Sequence, residues 1–397
     1  MIYTSFVPPV RTLMGPGPSD VHPRVLAAMA RPTIGHLDPA FTRMMDDIKA
    51  MLRYAFQTSN DLTIPISGPG SAGMETCFVN LVEPGDKVIV CQNGLFGGRM
   101  KENVERAGGM AVMLENQWGT AVDPAQLETL LKANRDTAIV AFVHAETSTG
   151  VQSEAKVLVE IANRYGCLTI VDAVTSLAGT PLKVDEWGID AVYSGTQKCL
   201  SCTPGLSPVT FSPRAVEKIK ARKTKVQSWF MDLNLVMSYW GGEVKRSYHH
   251  TAPINPLYGL HEALVMLIEE GLESAWARHQ KHHLALRAGV EAMGLSFAVE
   301  NPQQRLPQLN AINVPNGIDE ALVRQRLLSE YNIEIGAGLG VLAGRIWRVG
   351  LMGYASNVKN VVYCLSSLEQ VLSGMGAAIK RGAAIEAVGA ALAVASK

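Results

Sequence analysis

Short apolar runs alternate with helical stretches through the middle of the chain. The helical stretches carry apolar residues three and four positions apart, whereas the runs are apolar at almost every position. Continuous apolar runs are typical of strands covered on both faces of a sheet. This alternation predicts a doubly wound α/β domain with a mainly parallel sheet. The predicted strands are 87–91, 138–143, 168–171, 191–194 and 208–211, and the predicted helices are 71–81, 98–107, 124–132 and 155–165.

The two ends of the chain have other patterns. Residues 1–20 are rich in proline and glycine, which predicts an irregular segment. A helix is predicted over 38–56, and a long helical segment over 256–293 with Gly294 as its stop. Beyond it the pattern predicts a smaller α+β domain, with strands near 311–314 and 346–349 and helices at 319–331 and 357–372.

These patterns divide the 397 residues, which are too many for one hydrophobic core. We predict an N-terminal extension at 1–20, a large domain at 21–265 and a small C-terminal domain at 266–397. The architecture is therefore α/β, with a large doubly wound domain followed by a smaller α+β domain.

Composition narrows the class of protein. Lysine plus arginine and aspartate plus glutamate both number 36, so the net charge is zero, which argues against a nucleic-acid partner. Charged residues make up 18%, below the roughly 25% of typical globular domains, which predicts surface buried in an oligomer. No apolar run approaches the roughly 20 residues that span a bilayer. Six cysteines are too sparse for a disulfide framework, so we expect a cytoplasmic protein without a membrane partner.

Polar residues that follow predicted strands are the candidates for chemistry, because open α/β sheets bind ligands beyond the carboxyl ends of their strands. The glycine-rich turn at 67–73 leads into a helix, and such a helix start suits a phosphate, although a plain tight turn has the same sequence. The polar burst at 144–150 suits a ligand or an ordinary loop. Asp172 ends a buried strand, where a carboxylate is costly unless paired. It could hold a cationic ring nitrogen or serve as a structural cap.

Lys198 is the fourth candidate. It follows a predicted strand after Gly195 and Thr196, and a lysine there is either a buried amine nucleophile or a side chain that reaches the surface. A phosphate cradle, an acid for a pyridinium nitrogen and a Schiff-base lysine are together what pyridoxal phosphate needs. No metal site is predicted, because neighbouring histidines such as His249 and His250 do not readily share one ion.

The ordered motifs resemble a known family. The chain resembles fold-type I pyridoxal-phosphate enzymes of the class V aminotransferase branch, and looks most like the alanine/serine–glyoxylate aminotransferases. The resemblance covers nearly the whole chain. The motifs that carry it are Gly15-Pro16-Gly17-Pro18, residues 67–70, Asn93-Gly94, residues 146–150, residues 171–174, residues 194–198, residues 248–251 and residues 345–350.

The resemblance implies roles around the cofactor ring. Lys198 would form the Schiff base with pyridoxal phosphate and later move the α-proton. Asp172 would keep the pyridine nitrogen protonated. Phe96 would stack on the ring where some relatives have Trp, and Val174 would pack on the opposite face. Ser148 would lie near the ring's polar edge and close to the substrate.

The resemblance also implies how the phosphate and the substrate are bound. Arg348 would pair with the substrate carboxylate. Tyr248 and Thr251 would reach the phosphate bound by the other subunit of a homodimer. The remaining residues that would hold the phosphate are Gly70, Ser71, Ala72, Thr196 and Gln197.

Two positions bear on the substrate. Relatives that use ureidoglycine resemble this chain but have Gln and Asn where it has His36 and Tyr248. A ureido group asks for amide partners, so we expect alanine or serine as amino donor and glyoxylate, or pyruvate, as acceptor. Transfer from ureidoglycine to glyoxylate remains the alternative. His36 could equally be a loop histidine at an interface.

Two other classes stay open at lower rank. A lyase such as a cysteine desulfurase would need a nucleophilic cysteine in a loop, whereas Cys364 lies in the predicted helix 357–372. A non-catalytic protein of the same fold would be marked by loss of the lysine, and Lys198 is present. A dinucleotide oxidoreductase would need a Gly-x-Gly-x-x-Gly turn after its first strand, and the chain lacks one there.

Overall fold

The computed structural model describes residue 1, residues 3–241 and residues 246–394. Its strands are β1 (Thr12–Leu13), β2 (Leu62–Ile66), β3 (Lys87–Gln92), β4 (Met110–Glu115), β5 (Thr137–Val143), β6 (Ala145–Glu146), β7 (Val151–Gln152), β8 (Leu168–Asp172), β9 (Ala191–Tyr193), β10 (Ser207–Phe211), β11 (Leu309–Asn313), β12 (Ile333–Glu334), β13 (Gly336–Ala337) and β14 (Ile346–Gly350).

The helices fill the intervals between the strands. They are α1 (Pro23–Met29), α2 (Pro39–Phe56), α3 (Gly70–Leu81), α4 (Leu95–Arg106), α5 (Pro124–Ala133), α6 (Ala155–Arg164), α7 (Val184–Trp187), α8 (Pro213–Lys220), α9 (Leu233–Trp240), α10 (Ile254–Glu270), α11 (Leu272–Ala292), α12 (Glu320–Tyr331), α13 (Val358–Gly374) and α14 (Ala383–Val394). Short 3₁₀ turns lie at Pro302–Gln304, Gly340–Leu342 and Gly353–Ala355.

A seven-stranded sheet in the order β2-β10-β9-β8-β5-β3-β4 confirms the predicted doubly wound domain. Strands β9, β8, β5, β3 and β4 run parallel, and β10 runs antiparallel to both of its neighbours. Strands β5 and β8 are buried along nearly their whole length. The predicted apolar runs are therefore strands covered on both faces.

The sequence analysis did not predict the two edge strands of this sheet, β2 and β4. Strand β2 contains Pro65, which pairs opposite Pro208, and proline in a strand weakens the sequence signal for one. Strand β4 is only partly buried and reads Met-Ala-Val-Met-Leu-Glu, so its apolar run is less complete. Edge strands lack a covering neighbour on one side, which loosens the constraint on their composition.

Parallel strands bring the candidate polar clusters to one edge of the sheet. Strands β5, β8 and β9 are adjacent, and each ends where a cluster begins. The polar burst at 144–150, Asp172 and the segment that carries Lys198 therefore share that edge.

The C-terminal part has its own antiparallel sheet, in the order β11-β14-β13. Trp347 of β14 is fully buried in a second core formed with α11, α12, α13 and α14. The predicted domain boundary at 265/266 stays a prediction. The extension at 1–20 is not irregular throughout, because its strand β1 pairs in parallel with β12. Met14, which follows β1, packs into the second core.

The predicted long helix at 256–293 is wrong in one respect. It is two helices, α10 and α11, separated by Gly271, whose φ of 81° lies in a region that favours glycine. Gly294 does follow the end of α11, with a φ of 88°. Among the described residues, no helix is both long and apolar enough to cross a membrane.

Candidate active site

Lys198 lies just beyond β9 and is 9% exposed, so it does not reach out to the surface. Its Nζ donates a hydrogen bond to the carbonyl oxygen of Pro16. Burial lowers the pKa of Lys198 to about 8, and the positive charge of Arg348 adds to that shift, against the opposing negative charge of Asp172. A share of the Lys198 amine is therefore uncharged near neutral pH, as a nucleophile requires.

Gly17 packs against this lysine. Its φ is 98°, and a Cβ added there would lie 2.6 Å from Nζ of Lys198. Pro16 also lies beside Gly336, where an added Cβ would be 2.4 Å from the proline ring and 3.5 Å from Cβ of Arg348. The proline- and glycine-rich segment thus runs between Lys198 and Arg348, which explains why it needs residues without bulky side chains.

Asp172 is 3% exposed at the end of β8. Its Oδ1 accepts a hydrogen bond from the Val174 amide at 2.8 Å, and its Oδ2 accepts one from the Tyr193 hydroxyl at 2.8 Å. Burial raises the pKa of Asp172 to about 6, while these two bonds and the charges of Lys198 and Arg99 oppose the rise. Both donors are neutral, so the carboxylate keeps an uncompensated charge for a cationic ligand group.

The glycine-rich turn at 67–73 forms the start of α3. The helix begins at Gly70, and no side chain caps its N-terminus. The Ala72 amide already donates to the Pro69 carbonyl at 2.7 Å, so the amides of Gly70 and Ser71 are the ones left for an anion at the positive end of the helix dipole. A Cβ added at Gly70 would lie 3.2 Å from Val174 Cγ2, so the turn abuts the loop that follows Asp172. Of the other predicted members, Ala72 is half-buried and Ser71 is exposed.

Thr196 and Gln197, also predicted to hold the phosphate, differ in whether their side chains have hydrogen-bond partners. Thr196 is fully buried, and its hydroxyl donates to the Thr203 carbonyl at 2.6 Å, so its hydrogen is engaged within the loop. Gln197 has a buried side-chain oxygen without a hydrogen-bond partner. A buried acceptor without a partner is costly, and any group that completes it must be a hydrogen-bond donor.

The polar burst at 144–150 contains a second buried carboxyl, Glu146. Its Oε1 accepts hydrogen bonds from the Ser148 amide at 3.0 Å and from the Ser148 hydroxyl at 2.6 Å. Its Oε2 accepts one from the Phe96 amide at 3.2 Å. Ser148 is itself fully buried, and its Oγ also accepts from the Leu95 amide at 2.9 Å. One acid therefore ties together two residues predicted to contact the cofactor.

Phe96 is half-buried on the first turn of α4. The Arg99 guanidinium lies 4.9 Å from the centre of its ring. Val174, predicted for the other face of the cofactor ring, is also half-buried. Both side chains are thus accessible enough to contact a ligand.

Arg348 is 7% exposed in β14. Its Nε donates to the Ala337 carbonyl at 2.6 Å and its Nη1 to the Thr147 carbonyl at 3.1 Å. These bonds fix the plane of the guanidinium and leave N–H groups on the two terminal nitrogens for a carboxylate. Burial lowers the pKa of Arg348 to about 10, with the charge of Glu146 opposing the shift, so the group remains cationic at neutral pH.

Tyr248, Thr251 and His36 form a separate, more exposed group. Tyr248 is 61% exposed, and its hydroxyl lies 3.5 Å from Oγ1 of Thr251. The rings of Tyr248 and His36 have their centres 5.2 Å apart. Between Tyr248 and Thr251, His250 Nε2 lies 2.7 Å from Oγ of Ser67 and so joins this group to the glycine-rich turn.

Two buried residues at the site were missed by sequence reasoning. Tyr193 precedes the quoted motif at 194–198 directly, and Glu146 lies inside the burst at 144–150 without an assigned role. Asp172 gave the one available signal for Tyr193, because a buried carboxylate needs donors. Periodicity identifies a strand end but not which neighbouring side chain supplies such a donor.

The predicted lack of a metal site can be examined at the buried histidines. His279 Nδ1 lies 2.6 Å from the Ala275 carbonyl, and its Nε2 accepts from the Gly353 amide at 2.9 Å. His283 lies 2.7 Å from the Asn310 side chain. Within the described part of the chain, no group of three or more metal-ligating side chains comes together.

A buried lysine of lowered pKa facing a buried carboxyl, at the carboxyl edge of a mainly parallel sheet, defines a fold-type I pyridoxal-phosphate enzyme. The model of the family "Aminotransferase class-V" matches residues 18–361. The chain therefore belongs to the class-V aminotransferases and is a pyridoxal-phosphate-dependent aminotransferase.

Solved structures and a curated relative agree with this assignment. An alanine–glyoxylate aminotransferase from Nostoc sp. is 47% identical, with a TM-score of 0.91 over 94% of this chain and 98% of that one. A ureidoglycine–glyoxylate aminotransferase from Bacillus subtilis is 41% identical, with a TM-score of 0.95 over 98% and 99%. An alanine–glyoxylate aminotransferase of Drosophila melanogaster is 38% identical over 94% of this chain and 95% of its own length.

Proposed function

We propose that this protein transfers the amino group of alanine or serine to glyoxylate, with pyruvate as a second acceptor, in a ping-pong reaction. The observation that carries the choice of donor is the pairing of His36 with Tyr248, whose ring centres lie 5.2 Å apart. The two positions that discriminate donors are thus neighbours, and they present an imidazole and a phenol instead of two amides. A ureido group would leave its hydrogen bonds poorly matched there.

The described residues fit pyridoxal phosphate at both of its ends. The start of α3, with the amides of Gly70 and Ser71, suits the phosphate. Gln197 in the neighbouring loop would reach it through its side-chain NH₂, because its unpartnered oxygen is an acceptor, as the phosphate oxygens are. At the other end, Asp172 supplies a carboxylate for a protonated ring nitrogen. When bound, the cofactor supplies an electron sink for the pair released at the substrate α-carbon.

The reacting groups are Lys198 and Arg348 in this proposal. Arg348 binds the substrate carboxylate through its remaining N–H groups, which orients the α-carbon. Burial leaves a share of the Lys198 amines uncharged. Such an Nζ takes the proton from the substrate α-carbon and then donates it to a second carbon atom, which completes the proton shift. Asp172 stays a carboxylate that hydrogen-bonds the ring nitrogen, since Tyr193 and the Val174 amide stabilise its charge.

We also propose a homodimer, in which Tyr248 and Thr251 reach the phosphate of the other subunit. Tyr248 and Trp229 are both more than half exposed, at 61% and 64%. The extension at 1–20 exposes further apolar side chains, Tyr3, Phe6, Val7 and Val10. Apolar surface of this extent favours burial against another chain. The six cysteines are free and buried, which supports the predicted cytoplasmic location.

A half-reaction experiment tests the choice of donor. Enzyme loaded with pyridoxal phosphate is mixed separately with alanine, serine and ureidoglycine, and loss of the absorbance of the lysine-bound cofactor is followed. We expect alanine or serine to react faster than ureidoglycine. Faster reaction with ureidoglycine would favour the second candidate, ureidoglycine–glyoxylate transfer, which the similarity to the Bacillus subtilis enzyme supports.

A double substitution sharpens the same test. His36→Gln together with Tyr248→Asn supplies the two amides, and we expect it to raise the rate with ureidoglycine relative to alanine. An unchanged ratio of the two rates would mean that this pair does not select the donor. Tyr363→Phe is the matched control, since Tyr363 is an exposed tyrosine on α13 whose hydroxyl donates to the Tyr331 carbonyl.

A further inference from the structure

Glu146 is a buried acid to which the proposed reaction gives no role. It is fully buried in β6, and its three hydrogen-bond donors are the Ser148 amide, the Ser148 hydroxyl and the Phe96 amide. None of these donors is a cation. An acid placed this way costs stability, so packing alone does not account for its presence.

The contact between Glu146 and the Ser148 hydroxyl contains a single hydrogen. The two oxygens are 2.6 Å apart, so that hydrogen belongs either to the serine or to the acid. When Glu146 is a carboxylate, the serine must donate it. When Glu146 is protonated, the acid can donate, and the serine hydrogen is released.

The Ser148 hydroxyl has few other ways to form hydrogen bonds. Its Oγ already accepts from the Leu95 amide at 2.9 Å, which occupies one lone pair. With a hydrogen received from Glu146, both lone pairs of Oγ are filled, and its own O–H is the one group left to offer. With Glu146 charged, Ser148 has a lone pair left and no hydrogen to offer.

The local backbone keeps the two side chains in this contact. A Cβ added at Gly94 would lie 2.4 Å from the carboxyl carbon of Glu146 and 2.5 Å from Oγ of Ser148. Its φ of 179° is ordinary extended backbone, so the glycine is needed for space and not for conformation. The backbone at Gly94 thus packs directly against the side chains of Glu146 and Ser148.

We infer that Glu146 is a positioning residue that decides, by its own protonation, whether Ser148 offers a hydrogen or a lone pair to the polar edge of the cofactor ring. The inference rests on the proposed function, because it uses Ser148 as a cofactor contact. It deepens that function by adding a residue that acts through another one.

Burial and the charges around Glu146 place its change of protonation near neutral pH. Burial raises the pKa of Glu146 to about 7, the negative charge of Asp172 raises it further, and the bonds from Ser148 and Phe96 oppose the rise. From β14, the cation Arg348 faces it, and from β9, the phenol of Tyr193 does. A raised pKa means that Glu146 is protonated below about pH 7 and charged above it.

The test is a spectroscopic double-substitution cycle on protein loaded with pyridoxal phosphate. The absorbance of the lysine-bound cofactor is titrated between pH 5.5 and about 9 in the wild type, Glu146→Gln, Ser148→Ala and the double variant. Glu154→Gln is the matched control, because Glu154 is an exposed acid that caps no helix through its side chain. Circular dichroism checks that each variant is folded.

We expect the wild-type spectrum to change with a midpoint near pH 7 and the control to behave alike. Glu146→Gln should remove that change or shift it by about one pH unit. Ser148→Ala should do the same, and the double variant should show no larger shift than either single variant. Coupled shifts of this kind mean that the acid acts through the serine.

Two outcomes overturn the inference alone. These are an unchanged titration in Glu146→Gln, and shifts of the two single variants that add in the double variant. If Glu146→Gln does not fold, Ser148→Ala decides by itself, since it keeps the acid and must still lose the change near pH 7. A wild-type protein that binds no pyridoxal phosphate overturns the proposed function instead.

Discussion

The buried and exposed parts of the candidate site are built on different principles. Lys198, Asp172 and Arg348 are each less than a tenth exposed, and every one of them is held by a hydrogen bond within the chain. Tyr248 and Thr251 are exposed, and their hydroxyl oxygens lie 3.5 Å apart. One chain by itself preorganises the groups that we propose to react, whereas Tyr248 and Thr251, which we propose to reach the phosphate of another subunit, are exposed on this chain.

The largest expected effect comes from removing the amine at the centre of the buried part. Lys198→Ala should abolish the cofactor absorbance and lower the rate of the half-reaction by about 10⁴-fold or more, because it removes both the covalent attachment and the group that moves the proton. Lys183→Ala is the control, since Lys183 is a more exposed lysine paired with Glu186. If Tyr248→Phe lost as much activity, the contrast between the two parts would not hold.

A smaller loss is expected when the buried carboxylate becomes a neutral amide. Asp172→Asn keeps the shape but cannot stabilise a charged ring nitrogen, so we expect a loss of about 10²- to 10³-fold in the half-reaction, as for one broken partner of a buried charge pair. Asp123→Asn is the control, because Asp123 caps α5 and asparagine caps equally well. Near-normal rates in Asp172→Asn would contradict the role of Asp172.

The exposed part should instead affect how tightly the cofactor is held. Tyr248→Phe and Thr251→Ala each remove a hydrogen bond proposed to reach the phosphate, which predicts about 10-fold weaker binding of pyridoxal phosphate in either variant. Equilibrium dialysis of the cofactor measures this, and sedimentation checks the dimer. Tighter binding in monomeric protein than in the dimer would refute a shared phosphate site.

A pH experiment probes the buried part without a substitution. Burial lowers the pKa of Lys198 to about 8, so the uncharged amine is a minority below that pH and dominates above it. The rate at which the apo protein captures pyridoxal phosphate should therefore rise about tenfold from pH 7 upward and level off above about pH 9. Arg348→Leu removes a positive charge that lowers this pKa, so its curve should move to higher pH. A curve still rising steeply near pH 10 would show that the amine is not desolvated.

Pattern reasoning could propose the candidate catalytic residues because they lie at strand ends. Lys198, Asp172 and the 144–150 burst follow β9, β8 and β5, and the parallel order of these strands brings them together. It missed β2 and β4, the edges of the same sheet, where Pro65 and a mixed composition weaken the strand signal. It also missed the break at Gly271, because both helices around that glycine continue the same apolar spacing.

The partners of the chemical residues were not predictable in the same way. Tyr193 and Glu146 lie close in sequence to recognised motifs, yet only three-dimensional contact shows that they hold Asp172 and Ser148. The Pro16 carbonyl that accepts from Lys198 is separated from it by 182 positions along the chain. Contacts over such separations depend on how two cores pack, which no local pattern encodes.

Local patterns in the chain were enough to predict the class of fold, the edge of the sheet that carries the candidate residues, and the residue types needed for pyridoxal phosphate. These features follow from periodicity and from the side chains that end each strand, which are local properties. The three-dimensional packing was needed to establish the pKa shifts, which hydrogens are engaged in hydrogen bonds and which side chains stay exposed. Those properties depend on burial and on distances between residues far apart in the chain, and both exist only once the chain has folded.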